Sequence, residues 1–167
     1  MIQKLILGLL CVITFVYGSI AFSPKTNLYY FLENNLLQKD ILFNNEELNE
    51  NIFGFDIKNI DIHYKKNNIG KIESIRSQFD LFTNKLEISN VQVNVNNFGI
   101  NFKTIRFNYN FLSPLEIDIL VLFENERFKG TIDLIGHKII FQKTKDSRYK
   151  RILAQFKQEN GVYSYEY

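Results

Sequence analysis

The sequence predicts a mainly β domain behind an N-terminal transmembrane helix, and three observations carry that prediction. An uncharged apolar run opens the chain. From about residue 41 large apolar side chains recur at every second position for most of the chain, and helical spacing shows only at two short places after the opening run. A period of two gives a strand one apolar face, whereas a period near 3.6 gives a helix one apolar stripe.

The opening run extends from Leu5 to Phe22, 18 residues without a charge. As a helix it spans about 27 Å, enough to cross a hydrocarbon core. On this reading Leu5, Leu9, Val12, Phe15 and Phe22 mark a membrane anchor over residues 1–22. The alternative is a cleaved export signal, with Lys4 as its basic start and Ser19-Ile20-Ala21 placing small residues before a cut ahead of Phe22. Retention is favoured, because the run stays apolar up to Ser23 and exceeds the usual length of a signal core. Both readings export residues 23–167; retention makes the chain a single-pass protein of the bacterial inner membrane with a periplasmic domain. Cys11 follows Gly8, Leu9 and Leu10 rather than the small residues a lipid-attachment cysteine needs beside it, and reads as a small hydrophobe in the run.

Residues 23–167 contain no cysteine, so no disulfide holds them and a single domain must be stabilised by its own core. The formal charge of the whole chain is +2, a balance that recruits neither nucleic acid nor a charged surface. Asparagine fills 20 positions without forming one Asn-x-Ser/Thr glycosylation site, and with the Ile, Lys and Phe bias this composition fits a bacterium with an AT-rich genome.

Taken in order, Ser23-Pro24 offers a helix start, and Leu28, Phe31, Leu32 and Leu36 give the apolar stripe of a short amphipathic helix over 24–38. Phe53, Phe55 and Ile57 then share one parity and Ile60, Ile62 and Tyr64 the other, so Lys58-Asn59 must hold a turn or bulge that swaps faces. Val91, Val93 and Val95 give way likewise to Phe98, Ile100 and Phe102, then to Ile105, Phe107, Tyr109 and Phe111; each break marks a strand end or a kink. Leu115 to Phe123 is the cleanest alternating strand, forms a hairpin with Phe128 to Leu134, and is followed through Gly136-His137 by a short strand over 138–143. Tyr149, Ile152, Leu153 and Phe156 mark a second amphipathic helix over 147–157, Asn160-Gly161 a turn, and Val162 to Tyr167 a last strand. Strands this apolar on one face must bury it, which predicts an antiparallel curved sheet, a sandwich or a half-open roll, with the two helices closing an end or an edge.

No catalytic, cofactor-binding or metal-binding motif is expected. His63 and His137 are the only imidazoles and lie in no recognisable triad; Asp61 with His63 supplies two ligands on one strand face, too few for a specific metal site; Glu116 and Asp118 read as the wet face of their strand. Lys143, Lys145, Arg148, Lys150 and Arg151 form the one basic cluster, a candidate contact for phospholipid or another polyanion, though a solvated helix face explains it as simply. Tyr163, Tyr165 and Tyr167 offer a candidate edge for strand addition by a partner.

Phe22-Ser-Pro ahead of a leucine-rich helix, Phe53-Gly-Phe-Asp-Ile-Lys-Asn-Ile, Ser113-Pro-Leu-Glu-Ile-Asp-Ile and Gly130-Thr-Ile-Asp-Leu134 together resemble the type II secretion system protein N group and related membrane-anchored β proteins of the bacterial envelope. The resemblance implies a bitopic inner-membrane protein whose periplasmic domain assists a secretion or envelope-assembly system through contacts with other envelope proteins, without catalysis. The alternative reading of the residues is a lipid-handling module with an apolar groove inside its sheet.

Overall fold

The computed structural model describes Cys11 and residues 25–95, 98–123, 126–142, 156–159 and 162–167. The anchor positions Leu5, Leu9, Val12, Phe15 and Phe22 lie outside the described residues, as does the basic cluster Lys143, Lys145, Arg148, Lys150 and Arg151. Among the described residues no helix is long and apolar enough to cross a membrane.

Among residues 25–167 as described, the helix α1 (Thr26–Leu37) precedes eleven strands: β1 (Ile41–Asn44), β2 (Glu47–Asn51), β3 (Gly54–Tyr64), β4 (Asn67–Phe79), β5 (Thr83–Val95), β6 (Phe98–Asn110), β7 (Glu116–Phe123), β8 (Glu126–Asp133), β9 (Lys138–Gln142), β10 (Lys157–Glu159) and β11 (Val162–Glu166). All eleven belong to one antiparallel sheet in the order β1-β3-β4-β5-β6-β7-β8-β9-β11-β10, with β2 beside β1 on the same edge of β3. The described strands thus form one continuous open sheet and not the two layers of a sandwich. From β3 to β9 it is a simple meander, because each short turn returns the chain to its neighbour. An open sheet of this many twisted strands coils toward the side it must keep dry.

The parity breaks are kinks inside strands, and they line up. Ile57 and Ile60 on β3 pair with Ile75 and Ile72 on β4. Those pair with Ile88 and Val91 on β5, which pair with Ile105 and Phe102 on β6. In four successive strands, therefore, two residues three apart share one core cluster, although register never slips at this level. Between these rows Asn59 (φ 58°) and Asn90 (φ 50°) are left-handed, which reverses the alternation without ending the strand. Asparagine tolerates that conformation, and both side chains are held on the polar face: Asn59 Nδ2 donates to Glu47 Oε1 at 3.3 Å, and Asn90 Nδ2 to Glu73. Lys58-Asn59 swaps faces as expected.

The two faces differ in chemistry. Phe55, Ile57 and Ile60 are completely or almost completely buried on the apolar side. The other side carries Asp56, Arg76, Glu87 and Arg106 at directly paired positions of β3 to β6. Arg76 Nε donates to Asp56 Oδ1 at 2.7 Å and Arg106 Nε to Glu87 Oε2 at 2.8 Å. Exposed pairs of this kind contribute under about 1 kcal/mol each, so this ladder fixes which face is wet more than it holds the sheet together.

Three expectations are corrected. The first helix forms, but Tyr29 enters the core, whereas Phe31 and Leu32 of the expected apolar stripe are exposed. Its beginning is held from outside: the Glu50 carboxylate on β2 accepts from the Lys25 backbone N–H and the Thr26 hydroxyl, both at 3.1 Å. Those donors hold the Glu50 carboxyl below its usual range, whereas burial, then the Glu46 and Glu33 carboxylates, push the Tyr29 phenol up. Secondly, residues 147–155 of the expected second helix lie outside the described residues, and Lys157, placed at its end, opens β10 instead. Thirdly, Phe111, Leu115 and Leu134 leave their expected strands: β6 ends at Asn110, β7 begins at Glu116 and β8 ends at Asp133.

Candidate functional site

The apolar side of the second half of the sheet is built by β6 to β9 and β11. Ile105 pairs with Val121 and Val121 with Phe128; one level along, Ile119 pairs with Gly130, Gly130 with Phe141 and Phe141 with Tyr163. Gly130 is the break in an otherwise large-residue surface. A Cβ there would run into the Ile140 carbonyl oxygen and lie 2.6 Å from Phe141 Cδ1, so the missing side chain lets both the β9 backbone and the Phe141 ring come close over the strand.

Around that ring, aromatic side chains meet edge-on or tilted instead of filling the space. Phe102 and Phe123 meet with centroids 5.3 Å apart, Phe141 and Phe156 at 5.8 Å, and Phe156 and Tyr165 at 5.5 Å. Between them is a cavity of about 190 Å³, lined among the described residues by Phe102, Ile105, Val121, Phe123, Phe128, Phe141 and Phe156. None of these described lining residues carries a hydrogen-bonding side chain. The space is half open, and its apolar lining favours an apolar guest; an enclosed engineered cavity of roughly 150 Å³ suffices for benzene. It is smaller than the roughly 300 Å³ at which sites for whole ligands begin, so it suits the end of a chain.

The opposite face has a wider polar recess of about 460 Å³, where Arg106, Arg127 and Lys129 stand around Asn108, Asp118 and Thr131. Asp118 is therefore among cations and amides, and its pairing partners are Asn108 and Thr131, not Glu116. Asp61 accepts from Asn45 Nδ2 at 2.6 Å. His63 is two residues along, near the β3–β4 turn, and His137 lies at the other end of the strands in the β8–β9 turn, edge-on to Tyr167 at 5.7 Å. The two imidazoles do not meet. Among the described residues no group of three or more His, Cys, Asp and Glu could hold a metal ion.

The tyrosine edge is altered. β11 is inserted between β9 and β10, so Tyr163 is paired on both sides, with Phe141 and with Gln158. Among the described residues, the stretch from Tyr165 onward extends past β10. Apolar spacing puts Phe102, Ile105, Val121, Phe123 and Phe128 on strand faces and Phe156 on a helix, and the alternative of an apolar groove names no lining residue; the one local hint is Gly130, a glycine at an apolar-parity position of a strand. No protein-family model, no curated protein and no solved structure matches the chain.

Proposed function

We propose that the chain is a non-catalytic, membrane-tethered module of the bacterial envelope whose open sheet holds an apolar chain, such as the acyl tail of a lipid, against its apolar face. The observation that carries this reading is the cavity between Phe102, Val121, Phe128 and Phe141: a space whose described lining is wholly apolar, in a sheet whose other face takes the Asp56–Arg76 and Glu87–Arg106 ion pairs. Burial of apolar surface supplies the affinity, and the absence of polar groups makes the site indifferent to the headgroup.

A second reading, contact with other envelope or secretion-system proteins, is favoured by the outer edge of β11 beyond Ser164, which no described strand covers and where an added strand could pair.

The first reading is tested by producing residues 25–167 in bacteria and recording the native mass spectrum. A fraction carrying an adduct of lipid mass is expected, and Val121→Phe, which fills the cavity, is expected to remove most of it without altering the circular dichroism. A protein of bare mass contradicts the reading.

A further inference from the structure

Four turns lie at one end of the sheet: those between β2 and β3, β4 and β5, β6 and β7, and β8 and β9. Each repeats one sequence pattern, an Asn or Asp followed by two large apolar residues: Asn51-Ile-Phe, Asp80-Leu-Phe, Asn110-Phe-Leu and Asp133-Leu-Ile. The Asx side chain turns inward and satisfies the backbone. Asn51 Oδ1 accepts from the Phe53 N–H at 3.0 Å, Asp80 Oδ1 from Leu81 at 2.7 Å, Asn110 Oδ1 from Leu112 at 2.9 Å and Asp133 Oδ1 from Ile135 at 3.0 Å. The apolar side chains are left outside: Phe82 is 58% exposed, Phe111 66%, Leu112 77% and Ile135 67%. The turns at the other end carry Lys65-Lys66, Asn96-Asn97 and Glu124-Asn125 instead.

Six strand spacings separate β3 from β9, so the apolar tips are spread along about 29 Å of sheet end. This is too long and too regular for scattered surface residues, and it marks an interaction surface. The chain itself indicates the occupant. Lys25 is held by Glu50, which pairs with Phe55 beside the β2–β3 turn, so α1 begins at this same end. The uncharged run stops at Phe22, and three residues reach at most about 11 Å from Lys25. The anchor therefore enters the domain beside the apolar tips and not at the lysine end.

We propose that this end of the sheet sits on the surface of a lipid bilayer, with Phe53, Phe82, Phe111, Leu112 and Ile135 entering the interface. The inference rests on the reading of Leu5–Phe22 as a membrane anchor. Turns whose backbone donors are satisfied by their own Asx side chains lose little on leaving water, and aromatic and aliphatic tips gain by it. The orientation also sets one end of the apolar face at the source of an acyl chain, with Ile117 and Ile132 near the membrane end and the cavity farther out.

The chain has no tryptophan, which makes a direct test possible. Full-length Phe82→Trp, Phe111→Trp and, from the opposite end, Tyr64→Trp are reconstituted into phosphatidylcholine/phosphatidylglycerol vesicles with and without brominated acyl chains. Flotation reports the anchor, and tryptophan quenching reports the contact. Flotation with several-fold stronger quenching at positions 82 and 111 than at position 64 is the expected result. Flotation with equal, absent or reversed quenching overturns the proposal and leaves the anchor standing; blue-shifted but unquenched emission at 82 and 111 assigns the surface to a second copy of the chain and also overturns it. Failure to float removes the anchor and the proposal together.

Discussion

Ile60→Ala is expected to lower the stability of the domain by about 2–5 kcal/mol, the range for removing a large aliphatic side chain from a site that cannot collapse. Ile60 has no exposed surface and belongs to the cluster that joins Tyr29 of α1 to β3, β4 and β5. It is flanked by Asn59, which is left-handed, and paired with Ile72. The backbone therefore has little freedom to close the gap, so the upper half of the range is expected. Chemical denaturation, with the unchanged slope that signals an unchanged folded state, checks the value.

The second large effect is expected at Gly54. Its position, first in β3, is not demanded by an unusual φ; a Cβ there would run into the Ser77 carbonyl oxygen and carbon of β4. Because the obstacle is backbone, no rotamer change relieves it, and Gly54→Ala must push β3 from β4 where Phe79 N–H donates to Phe53 O at 2.6 Å. Overpacking costs typically about 1–3 kcal/mol, and a backbone partner places this case at or above the top of that range. Gly99→Ala is the internal control: its Cβ would meet only the side-chain Oδ1 of Asn94, at 2.8 Å, which can move aside. The melting temperature should fall clearly for the first variant and little for the second. Equal shifts would show that strand entropy, and not the close approach, sets the cost at Gly54.

Much of the β architecture was legible in the sequence because its cause is local. Alternation along Leu115 to Phe123 and Phe128 to Leu134 marks the β7–β8 hairpin, and the change of parity at Lys58-Asn59 marks a left-handed residue. That the same change occurs in register across β3 to β6 was not legible, because it follows from pairing between strands. The β3–β4 turn was hidden for a different reason: Lys65 and Lys66 both adopt positive φ, 47° and 71°, without the Asn or Gly that usually announces such a turn. Phe111 and Leu115 continue the alternation of their strands and so read as strand, although Asn110 ends the ladder by capping its own turn. The insertion of β11 between β9 and β10 is a choice among edges that no local pattern encodes. Which residues line the cavity was least legible of all, since Phe102, Val121, Phe128 and Phe141 have the spacing of a filled core, and the edge-on pairs Phe102–Phe123 and Phe141–Phe156 beside the space follow from strand pairing.

The central claim is that the apolar face around this cavity holds an acyl chain. It is tested most directly by supplying cells that produce the full-length chain with a diazirine fatty acid, irradiating them, and mapping the labelled peptides. Label on the peptides that contain Val121, Phe128 and Phe141, lost in Val121→Phe, is the predicted result; label confined to residues 5–22, or unchanged by that substitution, would contradict the account.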